Sequence, residues 1–138
     1  MLPILLMIDE ITQEDERELL RRLFFTYAPK MKLLAQSILK NEADAEDALH
    51  DTFLLVIRYR KKFVQADEIE IKRLLVIYSR SVCFNRLRRE IVWLRYYAGH
   101  TNVEIGALLG IKPSTVGSTL RRSLKEIQNE TEAYFVDR

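Results

Sequence analysis

The placement of glycine and proline constrains the fold of this chain more than any other feature of its sequence. Before residue 99, Pro3 and Pro29 are the only helix breakers. The four glycines all follow that point: Gly99, Gly106, Gly110 and Gly117. Apolar residues of the first part recur at helical spacing, and no stretch alternates apolar and polar residues as a half-buried strand would. The pattern predicts an all-α fold, and 138 residues are enough for one ordinary domain or two very small ones.

Long helices are expected throughout the glycine-free part. The spacing predicts a helix over 14–40, which Pro29 kinks or splits. A turn at Asn41 follows, and the acidic residues after it suit the first turn of a second helix that ends near Phe63. A third helix is predicted over 68–89.

The opening segment MLPILLMIDE is apolar but short, lacks a basic flank and runs into acidic residues. It is therefore predicted to be neither a secretory signal nor a membrane span. We expect it to form a hydrophobic turn that caps the helical bundle, in preference to an arm that docks on a partner. The single cysteine, Cys83, excludes an internal disulfide framework and a cysteine-based zinc cluster, and it fits a protein of the reducing cytoplasm.

No catalytic constellation can be assembled from the sequence. His50 and His100 are far apart, no Ser-His-Asp arrangement is present, and no glycine-rich loop could cradle a phosphate. His50 is interpreted as a surface residue rather than a metal ligand. We therefore expect no enzymatic activity, no metal site and no cofactor.

Charge divides the chain into an acidic half and a basic half, although the net charge is only +2. Residues 1–70 carry 10 basic and 14 acidic side chains, whereas residues 71–138 carry 12 basic and 6 acidic ones. Between positions 72 and 125, Glu90 and Glu104 accompany eleven basic residues. The asymmetry indicates two different partners, of which the basic half is suited to nucleic acid.

The segment from 101 to 127 has the helix start and stop signals of a helix-turn-helix. Thr101-x-x-Glu104 has the form of a capping box, so a short helix should start at Asn102 and end at Gly110, a favourable left-handed residue. Pro113 suits the first position of the next helix.

The second of these helices separates a buried stripe from a polar face. The stripe is predicted to consist of Val116, Leu120, Leu124 and Ile127. The residues left outside are Ser114, Thr115, Gly117, Ser118, Arg121 and Arg122. Hydroxyls can donate to phosphates, and an arginine can contact a guanine edge in a bidentate way, so the pattern favours insertion into a groove of DNA. The alternative is a helical hairpin used only for packing.

The third predicted helix carries a basic face. At about 100° per residue, four cations fall within an arc of roughly 140°: Lys72, Arg73, Arg80 and Arg86. Small residues, Ser79 and Cys83 among them, are expected between the cations, an arrangement that can lie along a phosphate backbone. The alternative is an ordinary solvated face. Four aromatic residues offer stacking surfaces for unpaired bases, but the pattern favours them as core residues: Tyr59, Phe63, Tyr78 and Phe84.

In order, these segments resemble a bacterial RNA polymerase sigma factor of the compact, extracytoplasmic-function type. YAPKMKLLAQSILKNEADAEDALHDTF is similar to the start of that family's first domain, and YSRSVCFNRLRR to the end of its promoter-reading helix. EIVWLRYYAGHTNVEIGALLGIKPSTVGSTLRRSLKEI is similar to nearly the whole second domain. The resemblance implies a region 2-like domain at 10–89 and a region 4-like domain at 90–138. It also implies core RNA polymerase and promoter DNA as partners, with an anti-sigma factor as a further candidate and no membrane partner.

The resemblance assigns roles to three sets of residues. The surface that docks on core polymerase corresponds to Glu46, Asp47, His50, Asp51 and Phe53. The helix that reads and opens the minus-ten region corresponds to the third predicted helix, and the loop 64–69 to the part that holds a flipped base. The minus-ten residues are Lys72, Arg73, Arg80, Asn85, Arg86 and Arg88. The minus-thirty-five residues are Ser114, Thr115, Gly117, Ser118, Arg121 and Arg122.

The chain departs from the family pattern in two ways. His50, Asn85 and Gly117 stand where Gln, Asp and Lys are usual, which affects promoter preference. In addition, FNRLRR runs directly into EIVWLRYY, whereas the family has a flexible linker there. The two promoter elements lie on the order of 50 Å apart, and even extended chain needs roughly 14 residues to cover that distance. We therefore expect an omitted linker, and a spatial gap in the chain within a few residues of Arg89, in preference to a shortened relative.

Two other functions are compatible with the sequence. One is a helix-turn-helix regulator that binds duplex DNA without being a sigma subunit. The other is a sigma-like mimic that occupies polymerase but reads no promoter.

Overall fold

The computed structural model describes residues 2–135, and all of their regular secondary structure is helical. The helices in chain order are α1 (Leu2–Asp9), α2 (Glu14–Leu39), α3 (Glu42–Arg58), α4 (Arg60–Val64), α5 (Glu68–Tyr96), α6 (Asn102–Leu109) and α7 (Pro113–Phe135). The all-α prediction is confirmed. The helices form two compact units, of which the first ends at Phe84 and the second begins at Asn85, inside α5. No helix of the described residues combines the length and the apolar character needed to cross a lipid bilayer.

The core of the first unit contains side chains of helices α1 to α4 and of the first part of α5. Phe24 of α2 meets Phe53 of α3 edge-to-face, with ring centroids 5.2 Å apart. Ile4 and Ile8 of α1 are fully buried in the same cluster, which also contains Phe63 of α4. The prediction that the opening segment caps the bundle is therefore confirmed. Burial of each such side chain is worth about 1.5–3 kcal/mol, so these contacts dominate the stability of the unit.

Helix α2 is not divided by its proline. Pro29 lies inside a single helix of 26 residues, with acidic residues in its first turn that complement the helix dipole. The helix ends where Lys40 adopts a left-handed conformation (φ 59°) and donates its backbone N–H to Gln36 O. Asn41 then caps α3 by accepting a hydrogen bond of 2.9 Å from the backbone N–H of Asp44. The predicted turn at Asn41 is confirmed.

The second predicted helix is interrupted at Tyr59, so its expected extension to Phe63 is wrong. The side chain of Arg60 explains the break, because its Nη1 donates to Ile57 O at 2.9 Å and its Nε lies 3.0 Å from Glu16 Oε1 of α2. A side chain that takes a helix carbonyl competes with continuation of the backbone ladder. The contact with Glu16 spans 44 residues of sequence, and no local pattern could have shown it.

Helix α5 runs without interruption from Glu68 to Tyr96, so the prediction of a gap near Arg89 is wrong. Asp67 caps its start by accepting from the backbone N–H of Glu70 at 2.8 Å. The helix contains no glycine or proline, and it ends at Tyr96, three residues before Gly99, whose φ is 75°. Buried residues recur along it at every fourth position: Ile71, Leu75, Ser79, Cys83, Leu87 and Ile91.

Candidate nucleic-acid interface

The start of α6 in the second unit is fixed by the predicted capping box. Glu104 donates its backbone N–H to Thr101 Oγ1 at 3.2 Å, and Thr101 donates its backbone N–H to Glu104 Oε1 at 3.0 Å. The hydrogen bonds from Thr101, together with the nearby His100, lower the pKa of the Glu104 carboxyl. Both the capping box and the first helical residue, Asn102, are confirmed.

The turn between α6 and α7 depends on two glycines. Gly110 ends α6 with a φ of 70° and donates its backbone N–H to Gly106 O, as its predicted role as C-terminal cap requires. Gly106 has no role in the sequence-based prediction. A Cβ at that position would lie 2.7 Å from Ile111 O and 3.4 Å from Pro113 N, so the turn can approach α6 only because the side chain is absent. A glycine inside a short helix, between Ile105 and Ala107, was the available signal.

Helix α7 begins at Pro113, as predicted. Lys112 precedes it, and a lysine side chain has no acceptor for a helix N–H. Its carbonyl accepts from the backbone N–H groups of Thr115 and Val116 at 3.0 and 3.1 Å. Small polar side chains at the start of the helix bond internally, since Ser118 Oγ donates to Ser114 O at 3.0 Å.

The six residues assigned to the minus-thirty-five element lie on one side of α7. At 100° per residue they occupy an arc of roughly 160°. Gly117 and Ser118 are half-buried, and the other members are exposed: Ser114, Thr115, Arg121 and Arg122. Arg121 Nη2 donates to Ser118 Oγ at 3.3 Å, which directs the guanidinium along the exposed face. The structure thus brings this set together as a polar surface with two cations.

The buried stripe of α7 is shorter than predicted. Val116 and Leu120 are buried, but Leu124 and Ile127 are 44% and 49% exposed. The reason is the length of the partner helix: α6 has eight residues, about 12 Å of helix, and covers only the first half of α7.

In the first unit, three of the predicted minus-ten cations are exposed on α5: Lys72, Arg73 and Arg80. Arg73 forms a bidentate pair with Glu70 of the preceding turn, at 2.8 and 2.9 Å, and this pair raises the pKa of Arg73. The guanidinium of Arg80 lies 5.7 Å from the ring centroid of Phe84, a distance that allows a cation–π contact.

The expectation that Ser79 and Cys83 lie between the cations at the surface is wrong. Both are buried, because they continue the four-residue spacing of Ile71 and Leu75 toward the core. The four aromatic residues named in the sequence analysis also differ in their exposure. Phe63 is buried as expected, whereas Tyr59 and Phe84 are exposed and Tyr78 is half-buried.

The other three predicted minus-ten residues, Asn85, Arg86 and Arg88, belong to the second unit. Arg88 is held by an acid of α7: its Nη1 lies 3.0 and 3.1 Å from the two carboxylate oxygens of Glu126. Its Nη2 donates to Asn85 Oδ1 at 2.9 Å. No sequence signal indicates Glu126 as a partner, since it is 38 residues away along the chain.

The predicted docking residues all lie on α3. Asp47 is exposed, and Glu46, His50 and Asp51 are half-buried. Lys32 Nζ of α2 lies 2.6 Å from Glu46 Oε1 and lowers the pKa of that carboxyl. Phe53 is fully buried in the core, so it supports this surface from beneath rather than forming part of it.

The second unit is similar to a known protein family. Residues 85–127 match sigma-70, region 4. The match begins at the first residue of the second unit and contains the capping box, the turn and the entire polar face of α7. The similarity to the sigma-70 family therefore concerns the second unit and its helix-turn-helix. Lys72, Arg73, Arg80 and the docking residues lie outside the matched segment. Neither the curated proteins nor the solved structures include a significant match to the chain.

Proposed function

We propose that this protein is a sigma factor of the extracytoplasmic-function type. It binds core RNA polymerase in the cytoplasm and directs promoter recognition, promoter melting and transcription initiation. The observation that carries the proposal is the coincidence of the region 4 match with a complete helix-turn-helix whose exposed face is polar and cationic.

In this proposal, α7 reads the minus-thirty-five element in the major groove. Arg121 is exposed and contacts a guanine edge, where a bidentate pair is worth about 1–3 kcal/mol of discrimination. Ser114 and Thr115, at the start of the helix, donate to phosphates and set its register on the duplex. Gly117 offers no side chain, so the backbone of α7 can approach the DNA closely at that position.

The exposed cations of α5 contact the minus-ten region. Arg73 must exchange Glu70 for a phosphate, which costs little because exposed ion pairs are worth about 0–1 kcal/mol. Arg88 must likewise leave Glu126. The half-buried Arg86 and the amide of Asn85 complete the set, and Lys72 and Arg80 lie nearer the start of the helix.

The acidic side of α3 docks on core polymerase. Glu46, Asp47 and Asp51 present carboxylates and His50 lies beside Asp51, with 3.7 Å between Nδ1 and Oδ1. An anti-sigma factor that covers these surfaces is a further candidate partner.

A helix-turn-helix regulator without a sigma role is the second candidate. Two observations favour it: the family match is confined to 85–127, and α5 lacks the flexible interruption that the resemblance implies. Such a regulator would bind duplex DNA through α7 in the absence of polymerase.

Reconstitution with core polymerase separates these functions. We expect the purified chain to co-purify with core enzyme and to support run-off transcription from promoters chosen from a genomic library, and Asp47→Lys plus Asp51→Lys to abolish both. Specific duplex binding without association with core enzyme would contradict the sigma proposal and support the regulator. Stable association without initiation would support the mimic.

A further inference from the structure

Asn102, the first residue of α6, has a buried acceptor without a hydrogen-bond partner. Its Oδ1 is shielded from solvent, and no other buried side-chain oxygen or nitrogen of the described residues lacks a partner. The neighbouring Thr101 and Glu104, in contrast, satisfy each other in the capping box. An unpartnered buried acceptor is unfavourable to folding. The stability of α6 therefore does not explain the carboxamide at this position.

The carboxamide of Asn102 lies beside the one member of the polar face of α7 that has no side chain. A Cβ at Gly117 would meet Asn102 Nδ2 at 3.5 Å, which is ordinary van der Waals contact. Both residues are half-buried. On α7, Gly117 lies one turn before Arg121, about 40° around the helix and about 6 Å along it. Because Gly117 offers no side chain, α7 does not screen the carboxamide from a ligand that approaches this edge of the polar face.

A carboxamide nitrogen at this edge is suited to a phosphate. It donates hydrogen bonds but carries no charge. In a helix-turn-helix on DNA, the second helix lies in the major groove while the first helix crosses the phosphate backbone. Asn102 begins the first helix and contacts the second. In that docking geometry it therefore lies at the boundary between groove and backbone.

We propose that Asn102 is a DNA-positioning residue, whose Nδ2 donates to a phosphate oxygen of the strand that passes Gly117 when α7 lies in the groove. The six residues of the polar face all belong to α7, so this contact ties α6 to the duplex as well. It fixes the docking of the second unit but carries no sequence information. This role rests on the proposed reading of DNA by α7.

Fluorescence anisotropy of the full chain, with and without core polymerase, tests this role on a labelled promoter duplex and on a duplex of scrambled sequence. Asn102→Leu keeps the size of the side chain and removes the donor. It is expected to weaken binding to both duplexes by the same factor, roughly three- to tenfold. The slope of log affinity against log salt should not change, because a neutral amide displaces no counterion. Arg121→Gln should instead lower the preference for the promoter duplex.

Stability separates this role from a structural one. Asn102→Leu removes the unpartnered acceptor, so the midpoint of chemical denaturation should stay the same or rise. Asn102→Asp keeps the shape of the side chain and places a negative charge in the first turn of α6, which is favourable to the helix. This variant should resist denaturation at least as well as the wild type. It should nevertheless bind both duplexes more weakly than Asn102→Leu, because its carboxylate repels the phosphate.

Asn129 provides a matched control for the change from amide to acid. It is an exposed residue of α7, eight positions and about 12 Å beyond Arg121. Asn129→Asp is expected to leave binding to both duplexes nearly unchanged. An equal loss in Asn129→Asp and Asn102→Asp would assign the effect to net charge and overturn the role of Asn102.

The remaining outcomes separate this role from the proposed function. Wild-type affinity of both Asn102 variants, on a duplex for which Arg121→Gln loses its preference, overturns the role of Asn102 and leaves the proposed function intact. Weaker binding together with lower stability in Asn102→Leu assigns the residue to the fold and also overturns the role. Failure of the wild-type chain to bind either duplex, with or without core polymerase, contradicts the proposed function and the role of Asn102 with it.

Discussion

The two units of this protein are specified in different ways. In the second unit, each boundary of the helix-turn-helix is set by residues close to it in sequence: the reciprocal bonds of Thr101 and Glu104, the left-handed Gly110 and the first-turn Pro113. In the first unit, the decisive contacts are distant in sequence. Arg60 reaches Glu16 across 44 residues, and Arg22 reaches Glu68 across 46. A unit specified by local signals can be read from its sequence, whereas one specified by distant contacts is read only in outline.

The largest test of this contrast is truncation of the core of the first unit. Phe63→Ala removes a fully buried ring and is expected to lower the free energy of unfolding by about 3–5 kcal/mol. Hydrogen exchange should show the loss of protection in α2 and α3, while amides of α6 and α7 remain protected. Equal loss in α6 and α7 would show that the second unit is not specified by its own residues.

A smaller effect is expected from the turn of the second unit. Gly106→Ala places a methyl group 2.7 Å from Ile111 O and should destabilise α6 and α7 by about 1–3 kcal/mol, as measured by chemical denaturation with hydrogen exchange. Gly117→Ala is the matched control, because its Cβ would contact only Asn102 Nδ2, at 3.5 Å. The control should be neutral or stabilising by up to about 1 kcal/mol. Similar losses in both variants would contradict the role given to Gly106.

The smallest effect concerns pH and the first unit. Arg22, with Nη2 at 2.7 Å, and the hydroxyl of Tyr27 hold the pKa of the Glu68 carboxyl below its usual range. A depressed folded-state pKa contributes stability that is present above the unfolded pKa and is lost as pH falls through the folded value. The thermal midpoint of the first unit should therefore fall below about pH 4, and less steeply in Glu68→Gln. An identical pH profile for this variant would contradict a contribution of the Glu68 carboxylate to the stability of the first unit.

The same contrast explains what the sequence could and could not show. The all-α fold, the start of α2, both ends of α6 and the start of α7 followed from spacing and capping residues, since those signals act within a few positions. The break at Tyr59 did not follow, because it depends on Arg60 and Glu16. Nor did the burial of Ser79 and Cys83, whose small side chains carry no strong signal for either face of a helix. At the candidate site, the polar face of α7 was predictable, but the pairing of Arg88 with Glu126 required the fold.

The central claim is that the exposed face of α7 reads promoter DNA, and a charge reversal at Arg121 tests it most directly. The control is Lys40→Glu, which changes the net charge equally but lies in the turn between α2 and α3. With core polymerase and a promoter on which the wild-type chain initiates, Arg121→Glu is expected to lower run-off transcription at least tenfold and to erase the footprint at the minus-thirty-five element, whereas Lys40→Glu leaves both intact. Undiminished transcription and an unchanged footprint with Arg121→Glu would contradict the claim.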